Sequence, residues 1–348
     1  MKIAVLGGGL SSEREVSIAS AYEIHDALID KGHKVVFLDI YGGYEDAFDN
    51  LEEIFTDKKK GSYEIAKIPP KASELKENRV PSPDGFWGVN IITICKYADL
   101  VFIALHGAEG ENGKVQAAFD LFGIKYTGTG YFGSALALDK HCSKQIMVQN
   151  QIITPDWEIL SKSNDYQLKK LKFPVVIKPV SEGSSIGVSI VKNQNELTSA
   201  LVDGIQYGEC LIAEEYIIGK ELSVGILNHQ ALPVIEILPK AGFFNYHNKY
   251  QSDGAKEICP AELSMDITLQ LQKTALKVHE ILGLGIYSRI DFIYGVDKVI
   301  HCLEANTLPG MTSQSLLPKE AKAKGNSFAD LCDDIVRLTL ADEKYLND

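Results

Sequence analysis

KIAVLGGG, residues 2–9, is an apolar run that ends in three glycines. It leads into LSSEREVSIASAYEIHDALIDKG (10–32) and then KVVFLDI (34–40). The first piece reads as a buried strand. In the second, Ile18, Ala21, Tyr22, Leu28 and Ile29 recur at helical spacing. Ser12-x-x-Glu15 is a capping-box pattern that starts this helix, and Gly32 stops it. The third piece is a second strand. Strand, helix and strand at this length make a βαβ unit, so the chain opens on a parallel α/β sheet.

Working outward, residues 41–88 hold KKKG, IPPK and PSPDG with little periodicity, and read as a weakly structured insertion. Order returns at ADLVFIALHG, a strand, and KVQAAFDLFG, a short helix. IKYTGTG closes the first domain near residue 128. SALALDKHCSKQIMVQNQ then reads as one helix. WEIL, FPVVIKP, GVSIVK, CLIAEEYI, KELSVGILN and LPVIEIL are strand-like. Helices are expected at NDYQLKKL and NQNELTSALVDGI. A long aromatic loop, 241–262, precedes the amphipathic helix MDITLQLQKTALKVHEILG. YSRIDFIYG and KVIHCLEANT form a hairpin turning at Gly295–Lys298, and SFADLCDDIVRLTLADEKY is a C-terminal helix. The expected organisation is an N-terminal α/β domain over 1–128, then α+β parts over 129–222 and 223–348.

The 348 residues suit two domains, or three small ones. The net charge of -12 argues against nucleic acid, which needs a basic face. The six cysteines are scattered with no C-x-x-C pair, which fits reduced thiols in a cytoplasm and neither zinc nor a disulfide framework. No signal peptide is visible, and the longest apolar region is broken by Lys96 and Asp99, so no membrane span is expected.

Gly128-x-Gly130-x-x-Gly133 matches a dinucleotide fingerprint, and Gly7-Gly8-Gly9 gives a near-match with Asp39 as the ribose acid. Glycines for tight turns and helix packing explain both better than a nicotinamide site. Glu182-Gly-Ser-Ser-Ile-Gly187 lies between two strands, and its composition suits a loop folding over phosphates. Lys178, near the end of an apolar strand, needs an anionic partner there. Arg289 and Asp291 share one strand face, and Glu304 and Asn306 share the next. If the hairpin pairs, the four converge. Two carboxylates and an amide oxygen suit Mg²⁺, and the arginine suits phosphate or an oxyanion. His106 ends a strand where open α/β sheets bind ligands, and reads equally well as a structural histidine.

Together GGGLSSEREVS, ALHGAEGENGKVQ, YTGTGYFGSALALDK, IKPVSEGSSIGVS, YIIGKELSVGIL, FNYHNKYQSDG, YSRIDF and LEANTLPGMTSQSLLP resemble the D-alanine–D-alanine ligases of the ATP-grasp superfamily. The resemblance covers nearly the whole chain outside 41–88. It implies an ATP-grasp fold: a Rossmann-like first domain, then two α+β subdomains that sandwich ATP. It implies that ATP phosphorylates one D-alanine, that the amine of a second attacks the acyl phosphate, and that a lid at 182–187 and 241–262 excludes water. By resemblance, Lys140 and Lys178 hold the ATP phosphates beneath a loop that includes Glu182 and Ser185. Glu214, Tyr216, Ile217 and Glu221 hold the adenosine end. Lys249 reaches the transferred phosphate. Asp291, Glu304 and Asn306 carry two Mg²⁺, which Mn²⁺ can replace. Arg289 and Gly310 form an oxyanion site. Glu13 anchors the first D-alanine's ammonium, with His106 near its carboxylate. Ser315 and Leu316 bind the second carboxylate. Glu13, Ser184 and Tyr250 form a linking triad.

Lys249-Tyr250 accompanies D-alanine as second substrate in that family, so the dipeptide is favoured over D-serine or D-lactate products. Asn112 and Gln314 depart from the family's more usual residues at the substrate end. The resemblance further implies a cytoplasmic homodimer in peptidoglycan precursor synthesis. A nicotinamide-dependent dehydrogenase is the rival from another class, and it leaves the 289–306 cluster without a purpose.

Overall fold

The computed structural model describes residues 1–11, 13–65, 85–183, 186–239 and 255–342, and between 65 and 85 the four single positions 75, 77, 80 and 82. In chain order its elements are β1 (Lys2–Gly7), α1 (Arg14–Asp30), β2 (Lys34–Asp39), α2 (Ile91–Tyr97), β3 (Leu100–Ile103), α3 (Ala108–Glu111), α4 (Lys114–Phe122), α5 (Tyr131–Leu138), α6 (Lys140–Gln149) and β4 (Trp157–Leu160). There follow β5 (Val175–Pro179), β6 (Ser189–Val191), α7 (Gln194–Gly204), β7 (Leu211–Glu215), β8 (Gly219–Leu227), β9 (Gln230–Ala231), β10 (Ile235–Pro239) and β11 (Ala255–Ile258). The last are α8 (Met265–Ile281), β12 (Tyr287–Gly295), β13 (Ile300–Asn306), α9 (Leu316–Ala323) and α10 (Phe328–Leu340).

Three sheets organise them. The first is parallel, in the order β2-β1-β3, and is buried because Ile3, Val5, Leu6, Leu38 and Phe102 leave it no polar face. The second is antiparallel, β4-β7-β5-β6, with α7 packed on β5 and β6. The third is antiparallel along β11-β10-β8-β12-β13, and α8 covers it through Leu271, Ala275 and Val278. The chain's end returns to its beginning. α10 lies against α1, its Leu331, Ile335 and Val336 join the first domain's core, and Lys31 and His33 pair with Asp330 and Asp333.

Four local expectations need correction or lie out of reach. Part of the 41–88 insertion is built into the first domain: Thr56 bridges Val35 of β2, Ile54 and Phe55 are buried, and Trp87 stacks on Phe119. These are single apolar anchors, which carry no periodicity to read. The expected helix at 164–171 is absent apart from a 3₁₀ turn at Lys162–Asn164, because Glu158 accepts the backbone N–H groups of Lys169, Lys170 and Leu171. The expected helix over 134–151 is two helices. Asp139 sits in extended backbone and its carboxylate caps α6 by accepting the Cys142 N–H. Ser12, the expected capping residue, lies outside the described residues; Glu13 stands at the N-cap with no side-chain capping bond. The 128–133 glycines serve packing: a Cβ on Gly133 would run into backbone at Gly283, and Gly128 takes a positive φ. No described helix is long and apolar enough to cross a membrane.

Candidate active site

The second and third sheets face each other across an open cleft of about 890 Å³. Lys140, Lys178, Glu182, Glu214, Tyr216, Ile217, Glu221, Asp291 and Glu304 all line it. Residues far apart in sequence are thus brought together as read.

On the second sheet, Lys178 closes β5 and its neighbour β7 presents Glu214. Glu214 receives Lys178 at 2.8 Å and Lys144 at 3.1 Å. Burial would raise the Glu214 carboxyl, but the two ammonium groups hold it below its ordinary value. Burial would lower Lys178; Glu214, with Glu304 and Asp291, wins and raises it. Lys144 has no exposed surface, and there burial prevails over Glu214 and lowers it. Lys144 was not singled out from the sequence. It stands one turn beyond Lys140 on α6, the i,i+4 spacing that shares a face. Lys140 crosses the cleft: its Nζ donates to the Glu182 carbonyl at 2.6 Å and lies 3.6 Å from Glu304. Burial raises the Glu182 carboxyl.

On the third sheet the hairpin pairs as expected, with Arg289 opposite Asn306 and Asp291 opposite Glu304, and a bulge just after Asp291. Asp291 is saturated. Its Oδ1 accepts from Ser223 Oγ (2.7 Å) and Arg289 Nε (2.9 Å), and its Oδ2 from Arg289 Nη2 (2.7 Å) and Asn306 Nδ2 (2.9 Å). Burial works against the Arg289 charge, but Asp291 outweighs it and raises the guanidinium above its ordinary value. All side-chain donors offered to a cation here are oxygens, from Asp291, Glu304 and Asn306, a hard set that fits Mg²⁺. Among the described residues no three His, Cys, Asp or Glu side chains form a cation cage. That also suits Mg²⁺, which takes one or two carboxylates and completes its shell with phosphate and water.

The first domain closes the cleft at its other end. Glu13 is buried; its Oε2 is the group that a side chain on Gly183 would meet first, and at Gly107, beside His106, it would be met just after Ser11. His106 is buried, with Nδ1 3.1 Å from the Leu308 carbonyl and Nε2 3.0 Å from Ser20 Oγ. Burial lowers it, so it is a neutral imidazole with Nδ1 donating and Nε2 accepting. Glu111 lines the same end beside Lys140 and Glu304, and burial pushes its carboxyl well up. Ser315 stands at the N-cap position of α9 without a side-chain capping bond, with Leu316 next, and its Oγ lies against Gly310 and accepts the Thr312 N–H. Ser184, Ser185, Lys249 and Tyr250 lie outside the described residues, as do residues 240–254 of the expected second lid. Its last part forms β11 and pairs with β10.

Two family models match the chain. One, described as the D-ala D-ala ligase N-terminus, covers residues 2–129, and the other, the D-ala D-ala ligase C-terminus, covers 146–337. The chain belongs to the D-alanine–D-alanine ligase family. The D-alanine–D-alanine ligase of Pediococcus pentosaceus is 41% identical over 340 residues, 97% of each chain. That of Lacticaseibacillus casei is 40% identical over 339 residues, 97% of this chain and 95% of its own. Among solved structures, the Bacillus anthracis D-alanine–D-alanine ligase complexed with ATP superposes with a TM-score of 0.75 at 30% identity, covering 98% of both chains. The VanG D-Ala:D-Ser ligase of Enterococcus faecalis gives 0.75 at 27%, covering 97% of this chain and 99% of its own. The architecture is the ATP-grasp fold of these ligases, and the dehydrogenase alternative falls away.

Proposed function

We propose that this chain joins two D-alanines to D-alanyl-D-alanine at the expense of ATP, through an acyl phosphate, in the making of peptidoglycan precursors. The observation that carries the reading is the pair of opposed walls: Lys178 and Lys144 around Glu214 on one sheet, Asp291, Glu304 and Asn306 on the other, with Lys140 between them. A triphosphate fits between a cationic wall and a metal-binding wall.

Lys140 and Lys178 hold the phosphates, under the loop that carries Glu182 and Ser185. Glu214, Tyr216, Ile217 and Glu221 hold the adenosine end. Asp291, Glu304 and Asn306 hold two Mg²⁺, or Mn²⁺, which when bound neutralise charge on the transferred phosphoryl group. Glu13 fixes the ammonium of the first D-alanine and His106 stays near its carboxylate. Their positions on a buried helix start and a strand end keep that carboxylate aimed at the γ-phosphate. Its oxygen attacks phosphorus and ADP leaves. The second D-alanine is held by its carboxylate at Ser315 and Leu316, where the N–H groups of α9 favour an anion. Its amine attacks the acyl carbon, Arg289 and the Gly310 backbone hold the resulting oxyanion, and phosphate departs. Lys249 follows the phosphoryl group, and Glu13, Ser184 and Tyr250 tie helix to loops. The working parts are 1–128, 129–222 and 223–348, the last helix of the third being packed into the core of the first. The dimer forms through the first domain, where Leu121 and Phe122 stand exposed on α4. The cytoplasm holds both substrates.

The test is ADP release with Mg²⁺ and ATP on addition of D-alanine, D-serine, D-lactate or L-alanine, with product masses. ADP only with D-alanine and a D-alanyl-D-alanine mass are expected. A D-alanyl-D-serine or D-alanyl-D-lactate product moves the specificity, and no ADP with any of them overturns the reading.

A further inference from the structure

Glu320 has no part in the roles above, yet it is a fully buried acid with no side-chain donor beside it among the described residues. It lies on α9, one turn past Leu316, with no exposed surface. Neither carboxylate oxygen meets a side-chain donor among the described residues, and the backbone N–H of Gly225 is the one hydrogen-bonding group that faces it. Its Oε2 fills the space where a side chain on Gly225 would stand, so β8 carries a glycine and the acid occupies the gap. Gly225 is directly opposite Arg289 in the β8–β12 register. Burial pushes the carboxyl well up, and Arg289 is the charge that most opposes this.

We propose that Glu320 is a positioning residue for Arg289: the second counter-ion that takes the guanidinium when a divalent cation takes Asp291. The inference rests on the reading of Asp291 as a metal ligand. A carboxylate offers about four acceptor positions, and donors fill all four at Asp291, two of them from Arg289. Ser223 and Asn306 can rotate away. Arg289 cannot stay without sharing one carboxylate with a divalent cation. Nor can it be left alone, because a buried charge stripped of its partner is strongly disfavoured. Glu320 offers a carboxylate with no side-chain donor one strand away. As Arg289 arrives, it also stabilises the ionised form of Glu320, so the handover cancels two unfavourable burials at once. The released guanidinium then points toward α9 and the second substrate's carboxylate site, where the oxyanion forms.

The experiment titrates Mn²⁺ into protein saturated with ADP and follows free Mn²⁺ by electron paramagnetic resonance. Wild type, Asp291→Asn, Glu320→Gln and Glu320→Asp are compared, with ADP affinity measured separately without metal. Glu320→Gln is expected to weaken Mn²⁺ binding about tenfold with ADP affinity unchanged, and Glu320→Asp to recover part of the loss. Wild-type Mn²⁺ affinity in folded Glu320→Gln, beside weakened binding in Asp291→Asn, overturns the role of Glu320 alone. Unchanged binding in Asp291→Asn overturns the metal reading and this proposal with it. A wild-type crystal structure with ADP and Mg²⁺ needs no variant to fold. Arg289 within hydrogen-bond reach of Glu320 is expected, and Arg289 still forked on a metal-bound Asp291 overturns the proposal.

Discussion

On the second sheet one carboxylate, Glu214, holds two buried ammonium groups. On the third, one guanidinium, Arg289, stands among the carboxylates of Asp291 and Glu304. The first cluster carries surplus positive charge and the second surplus negative charge, and the two line one cleft. Neither is balanced internally, and a buried imbalance is unfavourable unless a ligand completes it. A nucleotide with its cations completes both: phosphates against Lys178 and Lys140, metal against Asp291 and Glu304. Each wall is thus incomplete in the sense opposite to the other, and ligand binding is the step that balances them.

The comparison is broken most severely on the acidic side. Glu304→Ala is expected to cut turnover by at least about 10²–10³-fold, because transition-state charge stabilisation is lost. Steady-state kinetics at high Mg²⁺ and a thermal melt check this. Normal turnover in folded protein would remove Glu304 from the site. On the basic side, Glu214→Gln leaves Lys178 and Lys144 without their anion, and unfolding stability falls by about 3–5 kcal/mol. Urea denaturation reads it, and saturating ATP restores part of the loss because its phosphates replace the missing charge. A loss that ATP leaves untouched would mean that Lys178 does not face the nucleotide.

How much of this was legible in the sequence depends on the kind of signal. Lys178 at an apolar strand end, and Arg289, Asp291, Glu304 and Asn306 at alternate positions of a hairpin, follow from a period of two and one turn. The structure pairs them residue for residue. Lys144 and Glu320 were missed because each looks like an ordinary helix charge. Only tertiary packing shows that Lys144 meets Glu214 and that Glu320 lies on the face of α9 that buries Leu317 and Ala321. The absent helix at 164–171 failed for a similar reason: a distant carboxylate, Glu158, took the backbone donors that a helix would have used. Asp139 shows the reverse case, where a local cap divides a run that looks continuous by composition.

The smallest effect lies outside both walls and sharpens the comparison as a control. His279, buried on α8 and 2.8 Å from Ser288 Oγ, is lowered to about 4 by burial, with His229 adding to it. The unfolded chain takes up a proton near 6.5 and the folded chain only near 4, so stability is complete above 6.5 and falls as pH drops through that window. Between pH 7 and pH 5 wild type should lose about 2 kcal/mol more than His279→Gln, read by urea midpoints. Equal losses would show that His279 does not titrate alone, while turnover at pH 7 should be the same in both.

The most direct test of the central claim follows oxygen. D-alanine labelled with ¹⁸O in its carboxylate is turned over with unlabelled ATP and Mg²⁺, and the released phosphate is weighed by mass spectrometry. An acyl phosphate built between the two walls transfers one labelled oxygen to each phosphate, leaving ADP unlabelled. Unlabelled phosphate, or label appearing in AMP, would contradict the account.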